Sequence, residues 1–190
     1  MKIEKIIQLL RVGKIGVMPT DTIYGIVGSA LNPETVEKIY KLRKRAKDKP
    51  MIILISSLDD LKKFKIKLTD KQKKFLEKIW PNPISVVLPC KDKDFEYLHR
   101  GKNSLAFRMP NNQALLGLLK EIGPLVAPSA NFEGEKPAEN IATAKKYFGN
   151  QVAFYLDEGT IHSTPSTLVR FENDSIKLLR QGILSRSKWS

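Results

Sequence analysis

Apolar residues recur at helical spacing from the start of the chain. Ile3, Ile6, Ile7 and Leu10 share one face and Gly13 follows, so a helix is predicted over 3–12. The next apolar run, 15–18, is short and unbroken, as in a buried strand. A second helical pattern opens with Asn32 as N-cap, Pro33 at the first helical position and Glu34 in the first turn. It runs through Val36, Ile39 and Tyr40 to Arg43. Pro50 punctuates, and 51–55 is an apolar strand. A short helix is expected at 57–64. A longer one at 70–79 is capped by Thr69 and stopped by Pro81 and Pro83.

Strands follow at 84–88 and 104–108. A helix begins at Asn111 or Asn112 and continues to Ile122. Residues 125–127 form a short buried strand, 131–136 a loop, 140–148 a helix ended by Gly149, and 152–156 a strand. After a polar loop at 157–165, strands at 166–171 and 175–179 pair as a hairpin turning at Asn173 and Asp174. Strands alternating with helices predict an α/β fold: a single domain over 1–190, with a twisted, mixed parallel/antiparallel sheet flanked by helices. At 190 residues and 42% apolar content, one core of ordinary size is available.

Two of the apolar runs break abruptly into small polar residues. The strand at 15–18 leads into Pro19, Thr20, Asp21, Thr22, Ile23, Tyr24 and Gly25. The strand near 124–127 leads into Pro128, Ser129, Ala130 and Asn131. Donors and acceptors at a buried strand's end are a common way to build a ligand crevice. On an extended backbone Thr20 and Thr22 share one side, as do Ser129 and Asn131. Arg43 and Arg45 close a helix, while Arg108 and Arg180 close strands. Together the four arginines point to a phosphorylated ligand. Blander readings stay open: a polar β-turn at the threonines, Asx-type turns at 129–131, and arginines that complement a helix dipole.

Charge strengthens the anionic reading. There are 33 basic and 20 acidic residues, a net charge of +13, which favours nucleotides or RNA. Lys71, Lys73, Lys74 and Lys78 lie on a solvated face, and His99 and His162 are expected to be solvated loop residues. Cys90 is alone, so neither a disulfide framework nor a cysteine metal site is available. The amphipathic start is too short and charged for a signal peptide or membrane span, so a cytoplasmic location without membrane contact is expected. No P-loop or G-x-G-x-x-G run is present, no carboxylate dyad flanks the polar clusters, and Ser129 lacks a nucleophile-elbow context. What remains is electrostatic stabilisation of an anion.

The motifs PTDTIYG, ALNPETVEKIYKLRKRAKDKPM, SLAFRMP, GPLVAPSANFEGEKPA, STLVRF and LLRQGIL, in this order, resemble the YrdC-like family of L-threonylcarbamoyladenylate synthases in its short, single-domain form. The resemblance implies synthesis of threonylcarbamoyl-AMP from L-threonine, bicarbonate and ATP, with release of pyrophosphate. It implies a threonine set of Thr22, Tyr24, Arg108, Ala127 and Ser166. It implies an ATP set of Arg45, Lys49, Ser104, Ser129, Pro137 and Arg180. Arg43, Arg45, Ser129 and Asn131 match the family's K-x-R and S-x-N pattern and are the expected catalytic groups. Two positions depart from the family: Arg43 stands where Lys is usual, and Leu54 where some members carry His. The resemblance further implies Mg²⁺ held mainly through the ATP phosphates, no dedicated metal site, and a partner threonylcarbamoyl-transferase complex acting on tRNA. The linker and second domain of longer members are not expected. The rival reading is a double-stranded RNA or tRNA-binding module of the same fold without catalysis.

Overall fold

The computed structural model describes residues 1–172 and 175–188. Its helices are α1 (Ile3–Arg11), α2 (Pro33–Leu42), α3 (Asp70–Ile79), α4 (Glu96–His99), α5 (Gln113–Ile122) and α6 (Ile141–Phe148). Its strands are β1 (Gly16–Pro19), β2 (Tyr24–Ser29), β3 (Ile52–Leu54), β4 (Ile84–Pro89), β5 (Ser104–Arg108), β6 (Leu125–Val126), β7 (Phe154–Tyr155), β8 (Thr167–Glu172) and β9 (Ser175–Arg180). Among the described residues these strands form one nine-stranded sheet in the order β7-β1-β2-β6-β3-β5-β4-β8-β9. β1 with β7, β3 with β5 and β4 with β8 run parallel. The other neighbours are antiparallel. This is the mixed α/β sheet expected.

The caps explain where the helices start. The side chains of Asn32, Asn112 and Asn140 accept from the backbone N–H of Thr35, Leu115 and Thr143. Thr69 and Gln72 form a reciprocal capping box on α3. Each cap satisfies a donor that the helix itself leaves unbonded, worth about 1 kcal/mol.

Two apolar clusters sandwich the sheet. The larger joins Val36 and Ile39 of α2, Leu76 and Ile79 of α3, and Ile141 and Phe148 of α6 to Tyr24, Ile53 and Phe107. The smaller places Ile6 and Leu10 of α1 and Leu115, Leu118 and Leu119 of α5 against Met18, Leu54, Leu125 and Phe154. Side chains alternate along β5: Leu105 and Phe107 are fully buried in the larger cluster. Ser104, Ala106 and Arg108 turn the other way. With Ile52 opposite Ala106, they leave part of the sheet face without a helix over it, and the candidate site lies there.

Several elements differ from expectation. β2 is a strand to which the sequence pattern assigns no element. Gly28 is required by packing: a Cβ there would stand 2.5 Å from Thr35 Cγ2, so α2 lies directly on the strand. Residues 93–99, of which only His99 was expected in a loop, form a 3₁₀ turn followed by α4. His99 is not solvated: it is 4% exposed, with Nδ1 accepting from Gly101 N–H and Nε2 facing Asp92 O at 3.3 Å. His162 is exposed, as expected, and pairs with Glu139. The residues at 57–64 wind as a 3₁₀ helix, Leu58–Phe64. The strands read at 51–55, 125–127 and 152–156 are shorter, and the one read at 166–171 begins and ends one residue later. The turn at Asn173 and Asp174 lies outside the described residues.

Candidate functional site

The segment joining β1 to β2 is a tight hairpin turn rather than an extended strand: Thr20 N–H bonds Ile23 O at 3.1 Å. The two threonines still meet, for a reason other than strand alternation. Thr20 Oγ1 lies 3.2 Å from Thr22 Oγ1 and also donates to Ile23 O. Beside this turn, residues 127–130 prolong β6 between β2 and β3. Ala127 N–H bonds Ile52 O, Ile26 N–H bonds Pro128 O, and Ala130 N–H bonds Tyr24 O. Gly25 pairs with Ser129 across an antiparallel bridge. A Cβ on Gly25 would stand 3.3 Å from Thr20 Cγ2 and 3.4 Å from Pro128 O. The absent side chain lets the two polar segments converge.

Arg43 caps the C-terminus of α2, yet its guanidinium does not point into solvent as a helix-dipole role would have it. It is 3% exposed. Nε donates to Asn131 O, and Nη2 donates to Ser129 Oγ and Asn131 Oδ1, each at 3.1 Å. Asn131 uses its own amide N–H groups on Phe132 O and Glu135 O. The arginine and the asparagine thus fold the 129–135 loop against α2. Arg43 Nη1 is buried with no hydrogen-bond partner among the described residues. Burial, and then repulsion from Arg45, lower the Arg43 pKa to about 10.

These groups surround a cavity of about 200 Å³. Its lining includes Thr20, Thr22, Arg43, Arg45, Ala106, Arg108, Ala127, Ser129, Ser166 and Arg180. Four guanidiniums arrive from different elements: Arg43 and Arg45 after α2, Arg108 at the end of β5, and Arg180 at the end of β9. Arg45 Nε and Nη2 donate to Lys49 O and Pro50 O. Arg180 Nη2 donates to Ser166 O at 2.8 Å. Ser166 is 1% exposed, and its hydroxyl lies 2.9 Å from that of Ser85. Burial, then Arg45, lowers the Arg180 pKa. Burial lowers that of Arg108 too, with Asp21 opposing and Arg180 reinforcing the shift. So many cations around one cavity repel one another, and an anionic ligand would relieve that repulsion.

Five residues from the sequence reading lie outside this lining. Tyr24 is buried, and its hydroxyl is tied to the 157–159 loop: it donates to Gly159 O at 2.7 Å and accepts from Glu158 N–H. Asn131 stands behind Arg43. Lys49 is exposed, and its ammonium meets Glu133 Oε1 at 2.6 Å. Ser104 shares a β5 face with Ala106 and Arg108 and donates to Lys102 O. Pro137 is half-buried in the loop that follows Asn131.

Two carboxylates escaped the sequence reading. Asp21, whose side chain is 2% exposed, lies 3.0 Å from Arg108 Nη2. Glu133 accepts from Ala46 N–H as well as Lys49 and so clasps the 44–50 loop to the 131–136 loop. Neither sits in a pattern that spacing exposes. Leu54, at the family's variable histidine position, is fully buried in the smaller apolar cluster. Gly182 lies against the backbone of Pro165, Ser166 and Thr167, where a Cβ has no room. It seats the end of the chain on β8 and helps place Ser166 and Arg180.

Fold and cleft define an α/β protein whose cavity, lined by converging arginines and hydroxyls, has the chemistry to suit an anionic ligand. The chain belongs to the Sua5/YciO/YrdC family: the family model Sua5_yciO_yrdC, described as "Telomere recombination", matches residues 8–182. A Bacillus subtilis protein named threonylcarbamoyl-AMP synthase is 30% identical over 190 residues, 98% of this chain and 55% of that one. A Methanocaldococcus jannaschii protein named putative threonylcarbamoyl-AMP synthase is 29% identical over 97% of this chain and 89% of its own length. The crystal structure of P. abyssi Sua5 complexed with L-threonine matches with a TM-score of 0.86 at 27% identity, over 95% of this chain and 54% of that one. The chain spans about half the length of the Bacillus and Pyrococcus proteins. No helix among the described residues is long and apolar enough to cross a membrane.

Proposed function

We propose that this protein joins L-threonine, bicarbonate and ATP into threonylcarbamoyl-AMP and pyrophosphate, in the cytoplasm, for the modification of tRNA. One observation carries the reading: Arg43, Arg45, Arg108 and Arg180 converge on a single cavity with the hydroxyls of Thr22, Ser129 and Ser166. The names of the relatives and the threonine complex of a Pyrococcus homologue support it.

The chemistry asks for what this cavity holds. The amine of threonine and bicarbonate give an N-carboxylate and water. A carboxylate oxygen of that anion then attacks the α-phosphorus of ATP, and the bond to the pyrophosphate oxygen breaks. The attacking group is already anionic, so the obstacle is bringing like charges together and holding them in line. Arg108, beside the threonine turn, takes the amino-acid carboxylate. Arg45 and Arg180 face the nucleotide phosphates. Arg43, held by Ser129 and Asn131, lines the cavity where it would stabilise negative charge on the α-phosphate oxygens. Thr22 and Ser166 meet the substrate hydroxyl, with Ala127 packed beside it.

The cavity's donors are guanidiniums, hydroxyls and backbone groups, with no carboxylate in the lining. Mg²⁺ therefore fits as a passenger on the triphosphate, whose charge it would screen. The unstable product passes to a transferase complex acting on tRNA. The RNA-binding rival draws on the exposed lysines of α3 and leaves the buried arginine cluster without a role. The test is pyrophosphate release from ATP: it should require both threonine and bicarbonate. RNA binding without any such release would favour the rival.

A further inference from the structure

Asp21 has no role in the chemistry above, yet it is buried against a central cation. Its side chain is 2% exposed and that of Arg108 4%, with Oδ1 3.0 Å from Nη2. The contact is close but not aligned as a hydrogen bond. Asp21 Oδ1 and Arg108 Nε both lack a hydrogen-bond partner among the described residues. Asp21 Oδ2 accepts from Asn111 N–H at 3.2 Å, and Arg108 Nη2 also reaches Thr20 Oγ1 at 3.4 Å. The carboxylate therefore ties the hairpin turn, the start of α5 and the end of β5 together around one guanidinium.

Two forces act on Arg108 when the cavity is empty. Neighbouring guanidiniums repel it, and its burial removes the water that would screen the repulsion. A long cation in that position is drawn toward whichever anion enters, and a triphosphate carries more charge than an amino acid. Asp21 opposes both tendencies. It offsets the charge of Arg108 and holds one nitrogen of the fork against the 20–23 turn, while Nε stays unpartnered.

We infer that Asp21 is a positioning residue that keeps Arg108 at the amino-acid end of the cavity and reserves it for the substrate carboxylate rather than for phosphate. The inference rests on the synthase reading above, and the experiment separates the two.

Asp21→Asn preserves size and an acceptor for Asn111 N–H but removes the charge. In steady-state pyrophosphate release, the KM for threonine should rise about tenfold, the scale of one charge-assisted contact. The fall in kcat should be far smaller, and the KM for ATP should not rise. Titration calorimetry with L-threonine alone should show the same loss of affinity. In an Arg108→Gln background the Asp21→Asn change should add nothing, since Asp21 acts through Arg108. Asp21→Glu, which keeps the charge, should bind threonine better than Asp21→Asn, a comparison that stands even if both variants lose stability. Equal increases in both KM values, an undiminished effect in the Arg108→Gln background, or no difference between the Glu and Asn variants would overturn the inference. A wild-type protein that binds threonine but releases no pyrophosphate would defeat the synthase reading, and the calorimetric arms would still decide the role of Asp21. No threonine binding at all would defeat both.

Discussion

Replacing Arg43 by Met keeps the volume of the side chain and removes its charge and donors. Three hydrogen bonds disappear, leaving Ser129 Oγ, Asn131 Oδ1 and Asn131 O without their arginine. Bonds of this charged kind contribute about 1.5–3 kcal/mol each, or roughly 4–9 kcal/mol if they simply added. Against that stands the strain of burying the cation. A pKa lowered from the ordinary guanidinium range to about 10 corresponds to roughly 3 kcal/mol against the charged form. The net expected loss is about 1–6 kcal/mol, equivalent to a fall in Tm of roughly 2 °C or more for a chain this size. The same pKa sets the sign of a pH effect. Because the folded value, about 10, lies below the unfolded one, Arg43 costs stability below pH 10, and that cost is relieved as pH rises from there toward the ordinary guanidinium value. Activity should fall further than stability, since the cavity loses the cation nearest Ser129. The assays are thermal denaturation and threonine-dependent pyrophosphate release below the melting range. A variant with an unchanged Tm would refute the bonding argument. A destabilised variant with full activity would refute the catalytic one.

Glu133 carries a second pH effect. Lys49, and then the Ala46 N–H, hold its carboxyl below the ordinary 4.5. The clasp should be fully present above pH 4.5 and lost as pH falls through the folded value. Hydrogen exchange at Ala46, corrected for intrinsic rate, should accelerate in acid, and Glu133→Ala should exchange fast at neutral pH; an acid-insensitive wild type would contradict this. Gly28→Ala puts a Cβ 2.5 Å from Thr35 Cγ2 and 3.2 Å from Ile39 Cδ1. It should cost about 1–3 kcal/mol in denaturant titration, and an unchanged midpoint would show that α2 shifts freely. Because Thr22 and Ser166 are buried hydroxyls that keep hydrogen-bonding capacity beyond their protein partners, valine in place of threonine should forfeit the bond each would make to the substrate hydroxyl. Serine should be a poorer substrate than threonine and valine poorer still; equal turnover of valine would contradict the assignment.

The sequence exposed those parts of the site that sit where a strong local signal stops. Apolar runs ending in Thr20 and Ser129, and charges closing a helix or strand at Arg43, Arg108 and Arg180, are visible because burial forces strand ends and cations to find partners. The capped helices were legible for the same local reason. Groups whose role depends on distant partners were hidden. Gly28 gave no sign of its place in β2, where Thr35 approaches too closely for a side chain. Asp21 looked like the odd residue of an extended run; the hairpin turn places it against Arg108, 87 positions along the chain. Glu133 is an unremarkable loop acid until the fold brings it to Lys49 and Ala46. His99 gave no sign of burial because the short α4 that carries it has too few turns to show a period.

The central claim is that this arginine-lined cavity makes an adenylate from threonine, bicarbonate and ATP. The most direct measurement is mass spectrometry of the reaction mixture, quenched early because the product is labile, with each substrate omitted in turn. The complete mixture should contain a species of the mass of threonylcarbamoyl-AMP. It should gain the label when ¹³C-bicarbonate is supplied and be absent when any one substrate is withheld. A complete mixture in which folded, threonine-binding protein produces no such species would contradict the account.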